Sequence, residues 1–164
     1  MKMALDKLYW KYGLVLGFVT SIWIGMDFFI VKELGRPDLG NYTGAFAIII
    51  LIIVIMSALK NQKKSGQFSF LHIVKLGALI GLIGGFIAAL FLFIYLTLNP
   101  ESMSSYFMYV AETMRATGES QQAIDEAVQN LASLNNPQMQ ALMMFIGSIV
   151  SSIALSIIFW IFKL

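Results

Sequence analysis

The sequence predicts an all-α membrane protein with four transmembrane helices and an extracytoplasmic helical hairpin between the third and the fourth. Its 164 residues are 59% hydrophobic and only 12% charged, and the mean hydropathy of +0.79 is too high for a soluble domain of this size. Four apolar segments reach or approach the roughly 20 residues that a helix needs to cross a bilayer. They lie at about 12–31, 42–59, 73–97 and 139–162. We therefore expect one integral membrane domain over residues 1–164.

Each segment is best interpreted as a retained helix. The first follows a basic start, but it is long and no small-x-small cleavage site follows it, so it is not expected to be a signal peptide. The second contains the isoleucine-rich run 48–55, yet a lone strand would leave its backbone groups unpaired in lipid. The fourth begins with Asn136 and Pro137, which are typical of an N-cap followed by the first helical position.

The distribution of lysine and arginine predicts the orientation of the four helices. Eight lysines fall on one side of the predicted membrane, whereas the other side has most of the acids and few basic residues. The eight are Lys2, Lys7, Lys11, Lys60, Lys63, Lys64, Lys75 and Lys163. By the positive-inside rule, both chain termini are expected in the cytoplasm.

Small residues recur every fourth position in the first and third segments. Such ladders allow helix backbones to approach closely in lipid. They are Gly13, Gly17, Ser21 and Gly25 in the first segment, and Gly77, Gly81, Gly85 and Ala89 in the third. We expect the first and third helices to pack through these faces, or two copies of the chain to use them in a homo-oligomer.

Two further features extend this packing prediction. Gly84 gives the third segment a second thin face, which favours a position at the centre of the bundle. Ser148, Ser152 and Ser156 repeat the four-residue spacing in the fourth segment. Without a neighbouring base they are better explained by helix packing or interhelical hydrogen bonds than by nucleophilic chemistry.

The segment at about 99–136 predicts two short amphipathic helices, with Gly118 between them as a helix stop. It carries five acids and only Arg115 as a base, a net charge of −4. Its apolar face is expected either to rest on the bundle or membrane surface, or to dock a protein partner in the cell envelope. That face comprises Met103, Phe107, Val110, Met114, Ile124, Val128 and Leu131.

Asp27 is the most notable single residue. It lies about one turn inside the end of the first segment, and intramembrane acids are candidates for ion or polar sites. The alternative is a structural role in which Asp27 reaches water or pairs with Lys32 or Arg36. A proton relay would be expected to include a second ionisable group at mid-membrane, and the sequence offers none.

The remaining residues predict no enzyme. There is no cysteine, and the single histidine, His72, has no acid nearby in sequence. No catalytic, metal or cofactor motif stands on the helices, so no cofactor is expected. The net charge of +2 and the sorting of basic residues to one side of the membrane argue against nucleic acid as a partner.

Three motifs in order carry a family resemblance. They are KYGLVLG at 11–17, GQFSF at 66–70 before the glycine-rich third segment, and YLTLNP at 95–100 before the acidic excursion. The chain resembles the small four-helix inner-membrane proteins grouped as domain of unknown function 4199, and the resemblance covers essentially its whole length. It implies four spans in a bacterial inner membrane, typically in Bacteroidota. It implies no activity, cofactor or site residue.

Three functions stay open from the sequence. The first is a non-enzymatic structural or accessory subunit of a cell-envelope complex, favoured by the acidic excursion. The second is a small oligomeric transporter or channel using Asp27. An intramembrane enzyme acting on lipid has the least support, because the segments lack paired acids and metal-ligand spacing.

Overall fold

The computed structural model describes residues 2–34, 40–64, 66, 68–134 and 136–162, and among these the side chains of 2–6, 30–34, 40–44, 103, 105 and 134 are left out of the description. All regular structure in the described residues is helical. The six helices are α1 (Lys2–Leu34), α2 (Gly40–Lys64), α3 (Phe70–Leu98), α4 (Glu101–Ala116), α5 (Gln121–Leu134) and α6 (Pro137–Ile161).

Four of these helices are long and apolar enough to cross a membrane. Their candidate spans are Lys7–Phe29, Ala45–Lys64, Phe70–Leu98 and Pro137–Ile161. The prediction of an all-helical chain with four spanning helices is confirmed. The helices run beyond the predicted segments, most clearly in α1, which begins at Lys2 because its polar start continues the helix without a breaker.

The helix ends follow local sequence signals. The side chain of Asn136 accepts a hydrogen bond from the backbone N–H of Met139 at 2.8 Å, and Pro137 occupies the first turn, as predicted. Gly118 adopts a φ of 84° just after α4, a left-handed conformation that glycine adopts without strain. At the end of α3, both the backbone N–H and the side-chain amide of Asn99 donate to the carbonyl of Tyr95.

Helix α3 lies at the centre of the bundle, as the sequence predicts. It forms the two most extensive helix interfaces, with α6 on one side and α1 on the other, while α2 packs against α1 and α6. Because α1 and α3 run in the same direction and α6 runs in the opposite one, the start of α1 and the end of α6 lie at one end of the bundle. We call this the terminal end, and the other the α4–α5 end.

The core divides into two clusters along the bundle. The cluster near the terminal end takes residues from α1, α2 and α3, including Leu16, Ile55 and Leu76. The second, toward the α4–α5 end, joins Ile24 of α1 to Leu92 and Leu96 of α3 and includes no residue of α2.

Helix α2 contributes to the core with only half of its length. Among its described side chains, the buried ones all lie within 51–62, whereas Phe46, Ile48 and Ile49 are exposed. A ring contact between Phe46 and Trp23, with centroids 4.9 Å apart, ties its first half to α1. Helix α6 adds partly buried side chains to both clusters, including Leu155 in the first and Met144 in the second. The bundle therefore has a four-helix core near the terminal end and a three-helix core near the α4–α5 end.

Candidate functional site

The glycine ladder of α3 packs against the serine ladder of α6. A Cβ added at Gly81 would lie 2.8 Å from both the Cα of Ile149 and the carbonyl oxygen of Ser148. One at Gly77 would lie 2.8 Å from the carbonyl oxygen of Ser152, and one at Gly85 would lie 2.8 Å from the Cβ of Ser148. The two backbones are therefore as close as glycine permits. We call this interface the glycine–serine seam.

The glycine ladder of α1 packs against isoleucines rather than against the ladder of α3. A Cβ at Gly13 would lie 2.7 Å from the Cβ of Ile83, and one at Gly17 the same distance from that of Ile87. In return, Leu16 fills the space at Gly84, where a Cβ would lie 2.8 Å from its Cδ2. Each glycine thus receives a branched side chain from the other helix.

This arrangement corrects one packing prediction. α1 and α3 do pack together, but the expectation that both ladders meet is wrong, because each ladder accommodates a different neighbour. The remaining ladder residues differ in their surroundings. Gly25 has Phe91 in ordinary contact range, Ala89 is buried in α3, and Ser21 donates a hydrogen bond to the carbonyl of Gly17 at 2.8 Å.

Ser152 lies in the middle of the glycine–serine seam. It is fully buried, and its Oγ has no hydrogen-bond partner in the described part of the chain. Ser156, one turn further along, instead donates to the carbonyl of Ser152 at 2.7 Å. A buried hydroxyl without a partner is destabilising. The small side chain of Ser152 lets α3 approach closely, and this close packing is a sufficient reason for serine at position 152.

Asp27 lies in the candidate span Lys7–Phe29 and is half-buried. Its Oδ1 is buried with no hydrogen-bond partner among the residues that the structure describes. The partners predicted for it, Lys32 and Arg36, fall outside that description. The structure therefore brings no described ionisable group to the buried oxygen atom of Asp27.

The terminal end carries polar contacts that sequence reasoning missed. The side-chain amide of Asn61 donates to the hydroxyl of Tyr12, and Gln62 is almost fully buried although it is polar. Gln62 lies one turn beyond Ala58 on the buried face of α2. The helical spacing of these two residues was the sequence signal that could have predicted its burial. His72, by contrast, is exposed, with its Nδ1 2.6 Å from the Oγ of Ser69, as suits an interfacial polar residue.

Helices α4 and α5 pack mainly against each other, and we call them the α4–α5 pair. Ile124 and Ala111 are buried, and the rest of the predicted docking face is half-buried: Phe107, Val110, Met114, Val128 and Leu131. The side chain of Met103 is outside the description. Two apolar stripes on adjacent short helices bury most surface by meeting each other. The predicted face is thus partly covered, and whether its remaining apolar surface docks a partner stays a prediction.

The outside of the α4–α5 pair is polar and acidic. Its exposed side chains include Glu112, Glu119, Asp125 and Glu126. The side-chain amides of Gln121 and Gln122 donate to the last two acids, at 2.7 and 3.0 Å. Met108 is also exposed on this exterior, at 64%. No group of three or more histidine, cysteine, aspartate or glutamate side chains within the described ranges is placed to hold a metal ion.

The four candidate spans and the glycine–serine seam between two of them define a multi-pass helical membrane protein. The chain matches, over residues 11–163, the family described as a protein of unknown function (DUF4199), and it belongs to that family. No curated protein and no solved structure matches the chain. The family resemblance inferred from the sequence is confirmed, and it extends across all four candidate spans.

Proposed function

We propose that this chain is a non-enzymatic structural or accessory subunit of a cell-envelope complex, held in a bacterial inner membrane with both termini in the cytoplasm. The orientation is supported by six exposed lysines at the terminal end and by the acids that dominate the α4–α5 pair. The lysines are Lys7, Lys11, Lys60, Lys63, Lys64 and Lys75.

The α4–α5 pair is the observation that carries this proposal. Helices α4 and α5 pack mainly against each other, and the exposed side chains of the pair present carboxylates and amides. A surface rich in carboxylates complements a basic surface on another protein and hinders wrong partners of like charge.

Affinity purification of the natively expressed, C-terminally tagged protein in mild detergent tests the proposal. We expect a stoichiometric protein partner by mass spectrometry. Triple charge reversal on the pair, with Glu112→Lys, Asp125→Lys and Glu126→Lys, should abolish its recovery. A matched variant at exposed neutral positions, Thr117→Ala with Gln129→Ala, should retain it. Recovery of the tagged chain alone, or equal recovery with both variants, would contradict the proposal.

A small oligomeric transporter or channel is the second candidate. The buried Oδ1 of Asp27, which has no hydrogen-bond partner in the described residues, favours it because intramembrane carboxylates often mark ion or proton paths. Purified protein in liposomes should then form an oligomer and support ion or proton flux. Asp27→Asn should abolish that flux and Asp27→Glu should retain part of it. A monomer without flux would exclude this candidate.

A further inference from the structure

A cavity at the terminal end combines apolar walls with one ammonium group. It has a volume of about 410 Å³ and is lined by Lys63, Phe68, Trp160 and Ile161. We call it the terminal pocket. Its walls come from the last turns of α2 and α6 and from the segment that leads into α3. It therefore lies where two candidate spans end, which is the level of lipid headgroups for helices of this length.

The aromatic walls of the terminal pocket are held in place by the fold. Phe68 and Trp160 both pack against the core cluster of the terminal end. Phe70 meets the Trp160 ring edge-on, with centroids 5.1 Å apart. The Nζ of Lys63 lies 5.7 Å from the centroid of Phe68, so its charge is held over the same wall. The pocket thus offers an ammonium group to an anion and, beside it, aromatic rings to hydrocarbon.

Charge and size together indicate the occupant. Six exposed lysines lie at the terminal end, and no acid side chain is described there, so an anionic ligand is strongly favoured over a cation. A volume of about 410 Å³ is within the range of small-molecule sites. A free phosphate would leave most of the apolar wall uncovered, whereas a lipid would cover it with its glycerol and upper acyl chain.

We propose that the terminal pocket binds an anionic phospholipid, with the phosphate on Lys63 and the upper acyl chain against Phe68, Trp160 and Ile161. The bound lipid bridges the ends of α2 and α6. These two helices share a much smaller interface than α3 shares with α6, so the lipid stabilises the less tightly packed side of the bundle.

Lipid binding is tested on the purified full chain by thermal unfolding and native mass spectrometry. Phosphatidylglycerol should raise the melting temperature and persist as a bound adduct, whereas phosphatidylcholine with the same acyl chains should do neither. Lys63→Gln should weaken the phosphatidylglycerol effect about fivefold, the contribution of one lysine near a headgroup. Lys64→Gln, which removes the same charge one residue outside the pocket, should leave it nearly unchanged.

Ile161→Ser provides a second variant for the apolar wall. This residue is 59% exposed, so the protein should fold normally while losing affinity for long-chain lipid. Equal losses in the variants at Lys63 and Lys64 would assign binding to diffuse basic charge and overturn the proposal. Equal stabilisation by phosphatidylcholine would also overturn it. An equal effect of inorganic phosphate or glycerol phosphate would assign the site to a soluble anion instead of a lipid.

Discussion

At the scale of single residues, the missing side chain of Gly81 decides how closely α3 and α6 approach. We expect Gly81→Leu to lower the free energy of unfolding by at least the roughly 1–3 kcal/mol typical of overpacking, since the new Cβ would meet backbone atoms of Ile149 and Ser148 at 2.8 Å. Thermal unfolding in one detergent measures this. Gly147→Ala is the matched control, because a Cβ there meets nothing within 4 Å. Equal stability of both variants would show that the seam can open at no cost.

Ser152 separates the effect of side-chain size from that of the hydroxyl group. Ser152→Ala keeps the small volume and removes a buried Oγ that lacks a partner among the described residues, so stability should be unchanged or raised by up to about 1 kcal/mol. Ser152→Val adds methyl groups opposite Gly81 and should destabilise the protein. Chemical or thermal unfolding of the two variants side by side is the measurement. A loss in Ser152→Ala as large as that in Ser152→Val would mean that the hydroxyl itself stabilises the seam.

Residue spacing predicted the thin helix faces but not their neighbours. A glycine at every fourth position shows which face of a helix another helix can approach closely. It does not show which helix or side chain lies there. Whether Gly13 receives an isoleucine or another glycine depends on the rotation of α3, which Gly84 and Gly81 set by facing opposite neighbours. Asp27 illustrates the same limit, since its type and depth were evident from the sequence and the surroundings of its buried Oδ1 were not.

At the scale of helices, the α4–α5 pair should unfold separately from the spans. Helices of 16 and 14 residues are marginal alone, and this pair packs mainly on itself. Ile124→Ser removes its most buried side chain, which should cost the pair about 2–5 kcal/mol and expose it to proteinase K. Met108→Ser, at a largely exposed position of α4, should leave the pair protected. Thermal unfolding of the spans should be the same in both variants, and a shared loss would contradict separate unfolding.

Short sequence motifs predicted several of the helix ends. Asn136 and Pro137 begin α6, and Gly118 follows α4, because caps and stops depend on neighbouring backbone groups alone. The apolar face of the α4–α5 pair was predicted in the same local way. Periodicity places Ile124 and Val110 on an apolar face, but it does not show which surface covers that face, and the structure buries Ile124 while leaving Val110 half-buried.

At the scale of the whole molecule, both glycine ladders are occupied within one chain. Ile83 and Ile87 fill the ladder of α1, and the serines of α6 fill that of α3. A homo-oligomer would therefore have to use other surfaces, such as the exposed Phe46, Ile48 and Ile49 of α2 or the exterior of the α4–α5 pair. Which residues fill each glycine ladder depends on how the helices pack in the bundle. The spacing of glycines along one helix does not predict it.

The sorting of charge between the two ends of the bundle predicts which end faces the cytoplasm. The chain has no cysteine, so single-cysteine variants report on topology without background. Ser69→Cys marks the terminal end and Ser133→Cys marks the α4–α5 pair, both at exposed positions and without altering the charges that set the orientation. In intact bacterial spheroplasts, a membrane-impermeant maleimide should label Ser133→Cys, and Ser69→Cys should react only after permeabilisation. Labelling of Ser69→Cys in intact spheroplasts would place the lysines outside, against the positive-inside rule. The acidic pair would then face the cytoplasm, and the search for its partner would move to cytoplasmic proteins.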